Sequence, residues 1–133
     1  MIRAISITAL AACIFAATAF ALSAPGVKAN VKETSSSVTV TFMNNSSTSY
    51  KGYFINSTDS PKLTAASDKS CKVRESKAYK SGGKTHHDFY ADCTGTVRAH
   101  KTLSVKLTSS GSGTVYVWVK LKNGYQAKVG QGG

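Results

Sequence analysis

The stretch TVYVWVKLKNGYQAKV, Thr114 to Val129, decides the fold. Val115, Val117, Val119 and Leu121 alternate with Tyr116, Trp118, Lys120 and Lys122. A period of two in β-branched and aromatic residues marks a strand with two unlike faces. The aliphatic set is the natural core face; the other carries aromatic rings among lysines. Asn123-Gly124 follows, the dipeptide preferred for a type I′ turn because both central residues need positive φ. The chain is therefore expected to fold back with Lys122 opposite Tyr125 and Trp118 opposite Val129. That register places Tyr125, Ala127 and Val129 beside Tyr116 and Trp118.

Working outward, Leu103 to Thr108 alternates in the same way, and SSGSG (Ser109–Gly113) reads as the turn that joins it to Thr114. Val38 to Met43 is an expected strand with Val38, Val40 and Phe42 buried, and Asn44 to Ser49 is a turn of residues that bond their own backbone. Tyr50 to Ile55 is the next strand, with a bulge possible at Gly52. Asn56 to Ala66 reads as loop, because Pro61 is excluded from a central strand. Lys69 to Glu75, Asp88 to Cys93 and Thr96 to Ala99 complete the set. No helical period follows residue 30. Turn signals at roughly 8–12-residue spacing predict an all-β chain, a small antiparallel β-sandwich of about seven to eight strands.

The N-terminus reads differently. Arg3 precedes Ala4 to Leu22, which is apolar apart from Ser6, Thr8 and Thr18, and Pro25-Gly26 breaks the run. This is the layout of a signal peptide spanning residues 1–29, with cleavage after Ala29 and an alternative after Ala21. A membrane anchor and a lipoprotein box at Leu10-Ala11-Ala12-Cys13 are the rival readings. The expected single domain is 30–133, with 130–133 a disordered tail. Secretion or a periplasmic location follows from this reading.

Removing Arg3 and Lys28 from the 17 basic residues leaves 15 against 6 acids, a net charge of +9 for residues 30–133. Such a field favours anionic partners: acidic polysaccharide, a membrane surface or nucleic acid, for the last of which no motif is present. Cys71 and Cys93 form an even pair, which in an exported chain reads as a disulfide. The loop they close spans 22 residues, worth roughly 3 kcal/mol by chain entropy.

Two surfaces carry binding chemistry. The disulfide loop holds Lys72, Arg74, Lys77, Lys80 and Lys84 interleaved with Tyr79, Phe89 and Tyr90. The outer hairpin face holds Tyr116, Trp118, Lys120, Lys122 and Tyr125. Cations among rings suit contacts to phosphate, sulfate or carboxylate together with ring stacking. The leading expectation is a non-enzymatic binding module for anionic surfaces, without a cofactor. Alternatives are a small secreted hydrolase or metal-dependent toxin and a structural surface protein with no discrete site. His86, Asp88 and His100 are weak metal candidates, since two neighbours on one strand face fall short of the three or four ligands zinc or copper needs. Ser81 to Thr85 ends like a phosphate-binding loop but lacks the earlier glycine, the strand before it and the helix after it. Asn44, Asn45 and Asn56 head glycosylation acceptor patterns and would lie in surface loops.

Overall fold

The computed structural model describes residues 22–133, so the apolar run through Ala21, with the signal-peptide, anchor and lipoprotein readings that rest on it, lies outside the described residues. Within them the chain forms β1 (Val27–Glu33), β2 (Ser37–Asn44), β3 (Tyr50–Thr58), β4 (Lys62–Ala66), β5 (Cys71–Glu75), β6 (Tyr79–Ser81), β7 (Lys84–His86), β8 (Asp88–Val97), β9 (Thr102–Ser110), β10 (Val115–Lys120) and β11 (Gln126–Gly132). One sheet runs β1-β2-β9-β4, a second β11-β10-β3-β8-β5, and β6-β7 is a separate ribbon. All pairings are antiparallel. The chain is thus the all-β sandwich its alternation predicts, with the Cys71–Cys93 bond joining directly opposed residues of β5 and β8.

The core lies between the two sheets. Val38, Val40 and Phe42 of β2 and Val105 and Leu107 of β9 face Tyr53 and Ile55 of β3, Ala91 and Cys93 of β8, and Val115, Val117 and Val119 of β10, all essentially without solvent exposure. The Phe42 and Tyr53 rings meet at 4.9 Å with a 59° tilt, the inclined geometry aromatic pairs prefer. Burial pushes the Tyr53 phenol well above its ordinary range, reinforced by its 2.5 Å hydrogen bond to the Asp68 carboxylate.

Several expectations are corrected. Residues before Ser37, where no strand is expected, form one: β1 alternates Val27, Ala29 and Val31 toward the core with Lys28, Asn30 and Lys32 outward, and pairs with β2 from Asn44 to Val38. Its apolar residues are few and small, and a boundary at Asn30 cuts the pattern in half. Cleavage after Ala29 would remove three paired residues, Val27, Lys28 and Ala29, whereas cleavage after Ala21 leaves β1 whole. The segment after Pro61 is also a strand, β4, at the edge of its sheet; Pro61 sits just before it, where a missing N–H costs nothing. Asp88–Cys93 and Thr96–Ala99 merge into the single strand β8.

The Thr114–Val129 hairpin forms, but in another register. Lys120 faces Gln126 and Trp118 faces Lys128, with a bulge between Val117 and Trp118. Asn123 has no positive φ, while Gly124 has φ 84°. The Gly124 N–H donates to Leu121 O (3.1 Å) and the Leu121 N–H to Tyr125 O (2.8 Å). This is the three-residue loop with a left-handed final glycine, not the two-residue I′ turn. The one-residue shift turns Ala127 inward opposite Val119, where it is buried. The I′ signature falls instead at Gly82-Gly83, both with positive φ, between β6 and β7.

Residues 130–132 are ordered within β11, paired with Val117, Tyr116 and Val115. Glycine is required there because β11 crosses β1 at contact distance: a Cβ on Gly130 would stand 2.2 Å from Ala29 O, and one on Gly132 2.8 Å from Val31 Cβ. Neither conflict is visible in a tail read as Gly-Gln-Gly-Gly.

Two outcomes follow. Gly130→Ala should lower stability by about 1–3 kcal/mol through overpacking, read as an earlier thermal or denaturant transition. A chain beginning at Asn30 should melt below one beginning at Leu22, since losing the burial of Val27 alone removes roughly 1.5–3 kcal/mol. Equal midpoints would show that β1 contributes nothing upstream of Asn30.

Candidate ligand-binding face

Side chains of the five-stranded sheet that do not enter the core form one outward face, and its pairings define the rows. Lys128 (β11), Trp118 (β10), Phe54 (β3), Asp92 (β8) and Lys72 (β5) lie in register across the sheet. The next row is Gln131, Tyr116, Asn56, Tyr90 and Arg74. Tyr116, Trp118, Phe54 and Tyr90 are half-buried, with ring surface left to solvent; Lys72, Arg74 and Lys128 are exposed. Lys72, Arg74 and Tyr90 from the Cys71–Cys93 segment and Tyr116 and Trp118 from the hairpin therefore share one face.

The rings are held in place. The Trp118 indole Nε1–H donates to Asn56 Oδ1 (2.8 Å). Phe54 and Tyr90 stack at 5.4 Å with planes 28° apart. The Lys128 ammonium stands 5.8 Å over the Tyr116 ring, within cation–π range. Lys120 crosses β3 to form an ion pair with Asp92. Its stem passes over Gly52, where a Cβ would lie 2.7 Å from Lys120 Cδ. Gly52 (φ 108°) is the expected bulge, and the register of β3 on β8 shifts there.

Charge is distributed unevenly. Of the sixteen Lys and Arg among the described residues, Lys120 is the one in an ion pair. Four of the other five acids are engaged elsewhere: Asp59 and Glu75 face His86 and His87, Asp68 accepts from Tyr53, and Asp88 accepts from Thr58 and Tyr79. Fifteen cations are left without a carboxylate partner, so the positive field is largely uncompensated at the surface.

The remaining candidates lie elsewhere. Lys80 lies mid-way along β6, Lys84 opens β7 beside the turn, and Lys77 precedes the ribbon; all three are exposed and off the aromatic rows. Lys122 and Tyr125 sit at the β10-β11 turn, Tyr125 being 63% exposed. Sequence reasoning missed Phe54, whose outward side becomes evident only once the Gly52 bulge fixes the phase of β3, and it gave Asn56 to a loop. Asn56 instead lies in β3, holding the indole, and Asn44 is buried, donating to Thr48 O (2.8 Å) and Val97 O (3.2 Å). Of the three acceptor patterns, Asn45 alone heads one from an exposed position.

His86, Asp88 and His100 are not brought together. His86 Nδ1 bonds Asp59 Oδ2 at 2.6 Å and its Nε2 lies 3.1 Å from Ser81 O. Asp88 accepts from Tyr79 (2.9 Å) and Thr58 (3.0 Å). His100 is exposed in the β8-β9 turn with φ 57°. Among the described residues no cluster of three His, Cys, Asp or Glu could hold a metal. These contacts anchor the ribbon to the β3-β4 corner instead. Ser81 to Thr85 is the ribbon's turn and second strand, with no helix following.

No family model and no curated protein matches the chain in sequence. Among solved structures it is similar to ChBD3 from Thermococcus kodakarensis KOD1, at 13% identity and a TM-score of 0.37, covering 79% of this chain and 93% of that one. It is also similar to ChBD2 from the same organism, at 14% identity and 0.31, covering 79% and 95%. Likeness at that level carries no functional argument, which rests on the face itself.

The ribbon anchor is pH-dependent in a defined direction. The hydrogen bond to the Asp59 carboxylate raises the His86 ring above the ordinary 6.5, partly opposed by desolvation and by Lys84. The same bond, with that from the His87 N–H, lowers Asp59. A raised histidine stabilises docking fully below its unperturbed value and loses that contribution as pH rises through the raised one. His86 should therefore titrate above 6.5 by NMR, with amide exchange across 79–86 accelerating on the alkaline side. Asp59→Asn should return the midpoint toward 6.5 and abolish that acceleration.

Proposed function

We propose that the outward face of the five-stranded sheet binds polysaccharide, and an acidic one in preference to a neutral one, outside the cytoplasm. The observation that carries this reading is the register that sets Tyr116, Trp118, Phe54 and Tyr90 between Lys72 and Arg74 on one edge and Lys128 on the other. Trp118, Phe54 and Tyr90 lie on successive strands, so the rings span two inter-strand spacings, about 10 Å. Half-covered rings held on one sheet face offer π faces for stacking with little reorganisation. Flanking ammonium and guanidinium groups meet carboxylate or sulfate substituents, Arg74 with the geometry for a bidentate contact. Extracytoplasmic action is supported by the apolar N-terminal run and the disulfide. Stacking and charge on one face suit adhesion.

Titration with a sulfated or uronic-acid polysaccharide should shift the emission of Trp118, the single tryptophan, to the blue. Affinity should fall steeply between low and high salt. Trp118→Ala and the pair Lys72→Glu/Arg74→Glu should each weaken binding by about tenfold or more, on the scale of a lost charge-assisted contact. Reversing Lys77, Lys80 and Lys84 together should weaken it less, because they contribute only long-range field. Equal binding of a neutral polymer at all salt concentrations would keep the platform and remove the anionic preference. Binding to anionic vesicles but to no polysaccharide would overturn the reading.

A further inference from the structure

Beyond Lys120, the loop entering β3 and the turn leaving β10 enclose a cleft of about 350 Å³. Its floor is Tyr50 and Leu121, both half-buried and packed on the core. Lys51, Lys120 and Lys122, with Thr48 and Ser49, complete its lining. Ser49 Oγ accepts from the Ala99 N–H at 2.9 Å, which leaves its own proton free to donate. The lining contains no carboxylate. Of the three ammonium groups Lys120 alone is ion-paired, through Asp92 on the platform side. Lys51 and Lys122 thus bring two uncompensated charges and hydroxyl donors to one concave site.

A cleft rich in cationic donors and free of carboxylates selects an oxyanion, and lysine binds such groups as a point charge. A tetrahedral group can accept from more of these lysine and hydroxyl side chains than a planar carboxylate can. We infer that this cleft takes a tetrahedral oxyanion, a sulfate or phosphate monoester. The inference rests on the polysaccharide reading for the polymer that would carry the ester. Lys120 lies two residues from Trp118 on the same face, about 7 Å along the strand. A sugar stacked on the indole therefore lies within reach of placing a charged substituent in the cleft.

The test uses inorganic sulfate and inorganic phosphate separately, each added to the full domain at constant ionic strength balanced with chloride and followed by NMR. Saturable shifts are expected at the amides of Lys51, Leu121 and Lys122. Lys51→Gln/Lys122→Gln should weaken the apparent Kd by about tenfold or more, the scale of losing charged hydrogen-bond donors. Lys32→Gln/Lys106→Gln, on the four-stranded sheet, should leave it unchanged. Saturation by only one of the two ions names the ester. Trp118→Ala should bind the ion normally while losing the polymer, so a failed platform and a failed cleft are told apart. Shifts that rise linearly with concentration, or that persist in Lys51→Gln/Lys122→Gln, would overturn the assignment.

Discussion

Strand β3 lies between β10 and β8, and its hydrogen bonds to both determine which side chains of the larger sheet reach solvent. Tyr53, Ile55 and Ser57 point inward and are fully buried; Phe54 and Asn56 point outward. A slip of one residue would exchange the two sets and place Asn56 in the core. Gly52 fixes the phase: its bulge resets the register after Lys51, and its lack of a side chain lets the Lys120 stem cross to Asp92. Side chains at both ends reinforce it. Tyr53 is held by Asp68 at the sheet's margin, and Ser57 Oγ donates to Pro61 O at 2.6 Å where the chain leaves for the other sheet.

Once β3 is in phase, the outward residues of its neighbours follow. The disulfide then acts at a distance from the rings it serves. It ties β5, an edge strand with only Val73 and Cys71 packed on the core, to the deeply buried Cys93 of β8. Lys72 and Arg74 are thereby kept in line with Asp92 and Tyr90. At the opposite edge, Gly130 and Gly132 let β11 lie against β1, which seats Lys128 and Gln131 in the same two rows. Both edges of the face are fastened, one covalently and one by close backbone approach.

What was legible in the sequence was whatever alternation alone determines. Val115, Val117 and Val119 are buried as their period requires, and so are Val38, Val40 and Phe42. The cysteine pairing followed from having two partners and no more after residue 30. What was not legible depended on long-range contacts. Asn123-Gly124 has the composition of an I′ turn, yet the bulge at Val117/Trp118 and the demands of the strand below select a longer loop. The C-terminal glycines have the composition of a tail, and their function shows only against Ala29 and Val31. Trp118 is half-buried, its polar edge satisfied by Asn56. The cationic loop and the aromatic hairpin, 42 residues apart between Arg74 and Tyr116 in sequence, gave no local sign that two intervening strands would set them side by side.

The central claim is that these rings and charges act as a single surface. Intermolecular NOEs between a sulfated oligosaccharide and the aromatic protons of the domain test it most directly. The account predicts contacts from sugar ring protons to Trp118, Phe54 and Tyr90 together, with none to residues of the β6-β7 ribbon. Contacts confined to Tyr79 and the ribbon, or to the outward face of the four-stranded sheet around Thr41 and Ser104, would contradict it.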